Sequence, residues 1–429
     1  MTITIDKPRA RYTHPLVFLL LIIPFGAASG FLGVTIVYLL GKAGVNPVTI
    51  AVLTGLSFLP HTFKFLYAPL VDLTLSRKKW FVIASITSAL GIALLGVIPA
   101  TEAGLPWLRV LVVVGNFATA LLSMSVESLM AYNTEPREMG RTAGWFQAGN
   151  LGGGGLGGGL ALVIAENTIH AWLPGVVLAV LCLLTGVAIL FTTEPESHLP
   201  DLSDEPATTT AGADLSRLWR TVQRVFLDLW QVVSSRVGYL GLLICFLPIG
   251  SGAAGNLFPL FANEWGASAN DVAATSGALS GVLSAFGCMV GGYFCDRMDR
   301  RLAYATFGII MSICAVLMAW APHNLTMYYV FVLSYGFIAG LCYAAFTAVT
   351  LEAIGTGAAA TKYSIFASLS NTPIAYMGIL NGFFYEKSGS NAGLYCDAVM
   401  GVAGVLAFML LAAVSGSLHK RYLQRRQLT

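Results

Sequence analysis

Lys64, His61 and Glu127 are the side chains of this chain whose types and setting could do chemistry. Ser57, His61 and Lys64 recur at helical spacing in an otherwise apolar stretch and make one polar face. Glu127 shares a face with Asn116, Ala120 and Ser123 in a second such stretch. An ammonium, an imidazole and a carboxylate brought together out of water could hold an anionic solute and pass a proton. Burial favours the neutral form of a carboxyl and a nearby ammonium favours the charged one, a competition that a proton-coupled device would use. Two plainer readings stand beside it: a static Lys64–Glu127 ion pair, and a His61 that is simply hydrogen-bonded. Later in the chain Asn256, flanked by Pro248 and Pro259, and Tyr335, Tyr343 and Asn371 are weaker candidates for a polar cavity. Ordinary hydrogen bonding between helices explains them equally well.

Other chemistries are missing. The sequence has no nucleophile–histidine–acid cluster, no metal-ligand spacing and no P-loop lysine, so neither an enzyme nor an ATP-driven machine is expected. No cofactor is called for, and an ion gradient, a proton gradient first, is the expected energy source. The seven cysteines are scattered through apolar segments and read as packing residues. "GNLGGGGLGGGL" (149–160) looks at first like a phosphate loop, but no Lys-Ser/Thr follows it and no strand precedes it. It lies in an uncharged run. A helix stripped of side chains lets neighbours approach closely, and Gly149, Gly153 and Gly157, with Gly154 and Gly158, are expected to form a smooth sliding surface between two halves of the molecule.

The elements that must carry these residues follow from composition. Of 429 residues 56% are hydrophobic and 10% charged, with a mean hydropathy of +0.74; a soluble domain carries about 25% charge. The chain is therefore read as an all-α membrane protein. A crossing helix needs roughly 20 apolar residues, and twelve segments qualify: 16–40, 48–70, 79–99, 107–131, 141–165, 171–191, 238–261, 271–294, 302–320, 326–350, 361–383 and 394–417. The organisation expected is an N-terminal tail (1–15), a six-helix bundle (16–191), a linker (192–237), a second six-helix bundle (238–417) and a C-terminal tail (418–429). The linker begins Pro-, Thr- and acid-rich and ends in an amphipathic stretch that suits a membrane surface. With the N-terminus inside, twenty of the 24 Lys and Arg fall on the inner side, so both tails are expected in the cytoplasm.

The halves repeat. Pro24-Phe-Gly26 is echoed by Pro248-Ile-Gly250, Asp72 by Asp296 and Arg77 by Arg301, each 224 residues later. Both halves start on one side, so the repeat is parallel, as in transporters that pair two halves around a central site. After the second span come Asp72, Arg77 and Lys78, and after the eighth Asp296, Arg297, Arg300 and Arg301.

"GGYFCDRMDRRL" (291–302) resembles the short loop of the major facilitator superfamily, and "KFLYAPLVDLTLSRKKW" (64–80) is its partner in the first half. The resemblance implies a twelve-helix, alternating-access carrier, and a latch at these charges that closes the cytoplasmic side. "FKFLYAPLVD" (63–72) and "MSVESLMAYNTEPREMGRTAG" (124–144) resemble more narrowly the peptide and acetyl-coenzyme-A transporter group, which includes AmpG-type muropeptide permeases and some siderophore permeases. That resemblance implies a mid-sized polar or anionic solute (a muropeptide, an acyl-CoA-like compound or a siderophore), proton symport and the inner membrane of a bacterium. A working monomer in lipid, with no nucleic-acid partner, is expected. Drug or metabolite efflux and a non-transporting membrane sensor are the alternatives.

Overall fold

The computed structural model describes residues 12–194, 234–354 and 359–427, with 223, 227 and 230 between them. Among the described residues the regular elements are helices: α1 (Pro15–Lys42), α2 (Pro47–Thr62), α3 (Lys64–Leu73), α4 (Arg77–Val97), α5 (Glu102–Asn133), α6 (Pro136–Asn167), α7 (Leu173–Phe191), α8 (Arg236–Phe246), α9 (Phe258–Phe261), α10 (Asn270–Cys295), α11 (Arg300–Trp320), α12 (Leu325–Ile354), α13 (Ala359–Leu369), α14 (Asn371–Ser388) and α15 (Ser390–Gln427). Nine of these, α1, α4 to α7, α10 to α12 and α15 as far as Val414, are long and apolar enough to cross a bilayer. Large apolar side chains such as Phe58, Leu66, Ile86, Leu190, Val282 and Leu406 stand exposed, the surface of a multi-pass membrane protein whose solvent is lipid. The backbone bonds close inside each helix, as that solvent requires.

Three segments expected as single spans are each in two pieces, α2 with α3, α8 with α9, and α13 with α14. A proline lies near each break. At the first the Pro60 carbonyl accepts from Tyr67 Oη at 2.7 Å, which engages it outside the backbone ladder just before the break at Phe63. Pro248 follows the cap of α8, where a helix must stop. Pro373 falls in the first turn of α14, where its missing N–H is not needed. The link from α8 to α9 turns through Gly250 and Gly252, both left-handed at φ +57 and +70, a conformation that suits glycine. The repeat is thus not carried evenly into structure: Pro24 sits inside a continuous α1, whereas its echo Pro248 ends a helix.

The glycine run is helical, with one wider π-turn at Leu156–Leu160. Such a turn loosens the backbone ladder, and Thr35 Oγ1 of α1 donates to the Gly158 carbonyl across 3.0 Å. The run corrects the sliding-surface expectation. A Cβ on Gly149, Gly153 or Gly157 would meet the carbonyls of Leu19, Ile23 or Ala27, all on α1; one on Gly158 would meet Val34, and Gly154 faces Gly26. These five bind α6 to a helix of the same half of the chain. The face toward the second half is a different one: a Cβ on Gly140 or Gly144 would meet Gly292, one on Gly152 would come within 3.2 Å of Ala285, one on Gly155 within 3.2 Å of Gly281 and one on Gly159 within 2.7 Å of Ala278, all on α10. A single i, i+4 stripe covers only one side of a helix, and this helix has two glycine stripes, one for each neighbour.

Two more expectations shift. The tail expected at 418–429 continues α15 as helix through Gln427. Nearly all of the linker 192–237 and its amphipathic stretch lies outside the described residues.

Candidate functional site

Lys64 opens α3, directly after the break at Phe63, and Glu127 lies in the last third of α5, two turns before its end. Lys64 Nζ is 3.0 and 3.2 Å from the two Glu127 oxygens. Both residues are buried, at 7% and 4% exposure. A cation on the first turn of a helix sits at the wrong end of the helix dipole, so Glu127 offsets both the charge and its position. One turn before Lys64, His61 Nε2 is 3.1 Å from Asn116 Oδ1. The Asn116 amide donates to the Val112 carbonyl at 2.7 Å, which turns its oxygen toward His61 and makes the imidazole nitrogen the donor. The Phe25 ring packs edge-on to His61 at 5.2 Å.

These residues wall a cavity of about 270 Å³ that also touches the second half of the chain through Tyr343, Phe346, Tyr363, Ser370 and Asn371. The Tyr363 ring stands 5.8 Å from Lys64 Nζ, within cation–π reach. A polar chain crosses between the halves here: Asn150 donates to Gln147 at 2.9 Å, and Gln147 to Thr347 at 2.7 Å. Of the candidates, Lys64, His61, Glu127 and Asn116 come together, and Tyr343 and Asn371 join them on the opposite wall. Tyr335 does not: it is buried, and its hydroxyl bonds Asp397 at 2.9 Å. Asn256 ends the short helical turn Ala253–Asn256 in the α8–α9 link. Sequence reading missed Gln147, Asn150, Thr347 and Tyr363. Asn150 was visible as the lone amide in the glycine run, but the partners of the others come from distant turns.

The two repeated aspartates tie the halves of the chain together, though not in the way their loops imply. Asp72 accepts from the Ala360 and Thr361 amides at 3.2 and 2.9 Å and from the Thr361 hydroxyl at 2.8 Å, at the start of α13. Asp296 accepts from the Gly140 and Arg141 amides at 2.7 and 2.8 Å, near the start of α6. Each carboxylate caps a helix of the opposite half of the chain, where free N–H groups and the helix dipole favour an anion. Burial pushes the Asp296 carboxyl up, against these two amide bonds, which pull it down. The basic residues do other work. Buried Arg77 bonds Ser128 at 3.2 Å and stacks on Tyr132, and Lys78 bonds the Thr192 carbonyl. Arg300 and Arg301 both hold Glu352, at 3.0 and 3.1 Å, so Glu352 clasps the two arginines to the end of α12. Arg300 also reaches the Pro136 carbonyl at 2.8 Å, tying the two halves, while Arg297 lies over the Tyr293 ring at 3.4 Å.

The family model of the Major Facilitator Superfamily matches residues 18–378. The chain belongs to the Major Facilitator Superfamily. Within that superfamily it is 24% identical over 365 residues to the anhydromuropeptide permease of Escherichia coli strain K12, covering 82% of this chain and 70% of the relative. Among solved structures, the human organic anion transporter MFSD10 (TETRAN) superposes with a TM-score of 0.67 at 16% identity, over 94% of this chain and all of that one. The E. coli fucose:proton symporter FucP superposes with a TM-score of 0.63 at 16% identity, over 93% and 98%. These two likenesses concern the fold.

Proposed function

We propose that this chain is a proton-coupled carrier that moves a mid-sized polar or anionic organic solute by alternating access. The observation that carries the reading is the Lys64–Glu127 pair in the wall of the central cavity, where neither charge has another charged partner at bonding distance among the described residues. A proton on Glu127 would remove the counter-charge and leave the Lys64 ammonium free for an anionic group of the solute. Loss of that proton would restore the pair and eject the solute. The Asp72 and Asp296 caps keep one side closed meanwhile, and the face of α6 bearing Gly152, Gly155 and Gly159 lets α10 move past it. The permease relative makes a muropeptide-like solute the first candidate, and the organic anion transporter and the symporter are in keeping with an anion and a proton. The cavity lies at the lower edge of the range for small-molecule sites, about 300–1,000 Å³, as a partly closed state would.

In this reading twelve helices cross a bacterial inner membrane as two parallel six-helix bundles, both tails lie in the cytoplasm, and a monomer suffices. The test is uptake into proteoliposomes of labelled anhydromuropeptide and a panel of organic anions, with and without an inward proton gradient. Gradient-driven accumulation that Glu127→Gln abolishes is expected. Flux of no solute, or flux indifferent to the gradient and to Glu127→Gln, overturns the reading.

A further inference from the structure

Asp397 is a third buried carboxyl, after Glu127 and Asp72, and the cavity does not use it. It lies on α15 inside an apolar stretch, 6% exposed, and is not among the residues lining the central cavity. A charge within a membrane span needs a partner, yet among the described residues no ion pair includes Asp397. Its oxygens accept instead from two neutral donors on two other elements: Tyr335 Oη of α12 is 2.9 Å from Oδ2 and Asn381 Nδ2 of α14 is 3.0 Å from Oδ1. The other groups able to titrate nearby are Cys396 beside it and, around Tyr335, Cys314 of α11 and Cys342 of α12. The Asn381 carbonyl oxygen is fully buried and has no partner. Turning that amide over would bring the oxygen to the place now held by its nitrogen, about 3 Å from Asp397, where a protonated carboxyl would donate to it. The same side chains thus accommodate either charge state.

We propose that Asp397 is a proton-binding carboxyl that sets the shape of the α8–α9 link. The geometry joins the two: Tyr335, whose hydroxyl Asp397 holds, packs edge-on against Phe258, the first residue of α9, at 5.1 Å. On its other side the link, through Ile249, Gly250 and Ser251, faces Tyr343, Phe346 and Ser370, which also wall the central cavity. Loading a proton on Asp397 weakens its hold on the Tyr335 hydroxyl, and with it on the ring that seats Phe258 at the end of the link, and the two left-handed glycines let the link move. This site goes beyond the Lys64–Glu127 reading and does not require it.

The test is infrared difference spectroscopy of the full-length protein in lipid nanodiscs, titrated from about pH 4 to about pH 9, with the proton itself as probe. A protonated-carboxyl band is expected that titrates in the wild type and in Glu127→Gln and is missing in Asp397→Asn. Tyr335→Phe and Asn381→Leu, each removing one donor, should move its midpoint by about one pH unit or more. Identical bands in wild type and Asp397→Asn overturn the proposal, as does a carboxylate signal that answers to sodium and not to pH. If Asp397→Asn does not fold, midpoints unmoved in both donor variants overturn it. Solute uptake by Glu127→Gln reads the other site, so either idea can fail alone.

Discussion

Removing the Asp296 carboxylate should open the latched end by an amount that the structure allows one to work out. Asp296→Ala deletes two bonds from the Gly140 and Arg141 amides, of 2.7 and 2.8 Å. A hydrogen bond to a charged group contributes about 1.5–3 kcal/mol, and the half-exposed setting argues for the lower end. An anion at a helix N-terminus adds roughly 0.3–1 kcal/mol. The closed state therefore loses about 3–4 kcal/mol relative to an open state in which the carboxylate is hydrated. At about 1.4 kcal/mol per factor of ten, the equilibrium shifts roughly 100-fold to several hundred-fold. The assay is a pulsed spin-label distance between Lys79→Cys and Leu302→Cys, on the first turns of α4 and α11, in a Cys396→Ser background; the other six native cysteines are buried. A longer distance should appear or grow in Asp296→Ala. Asp72→Ala, which loses three bonds in a more buried place, should shift it further. Unchanged distances in both variants would refute the capping argument.

The other expectations are as follows. Lys64→Met alone should cost about 3–5 kcal/mol of stability, because it strands a buried carboxylate; the double variant Lys64→Met/Glu127→Leu should regain most of the melting temperature and none of the uptake. Recovery of uptake would reduce the pair to a strut. Gly153→Leu should fail to yield folded protein, since its side chain would drive into the Ile23 carbonyl 2.7 Å from a Cβ. Gly155→Leu, on the α10 side, should insert and melt near normally yet exchange no solute; equal yield of both would erase the distinction between the two faces. Gln147→Leu breaks the bond to Thr347 and should weaken solute binding several-fold while leaving expression intact, as read by binding titration on purified protein. Lys79→Cys should react with an impermeant thiol reagent only from the cytoplasmic side, and reaction from outside would invert the topology.

The sequence alone settled the class. So few charges over so long a chain leave no covering for a water-facing surface, so the residues had to be helices in lipid. The 224-residue offset, carried by Pro24/Pro248 and Asp72/Asp296, pointed to duplication without any coordinates. Helical spacing also put His61 with Lys64 and Asn116 with Glu127, since neighbours on one helix face are a local property. What tertiary structure decided is which helix each face meets. That Asp72 caps α13 and Asp296 caps α6, and that Glu352 holds two arginines, depends on elements far apart in the chain. The two glycine stripes look alike in sequence, and only packing assigns one to α1 and the other to α10. Asp397 escaped sequence reading for the same reason: one acid in an apolar stretch is unremarked until Tyr335, Asn381 and the broken seventh segment are seen to converge on it. Periodicity records what lies along one helix, and a site built by four helices leaves no period.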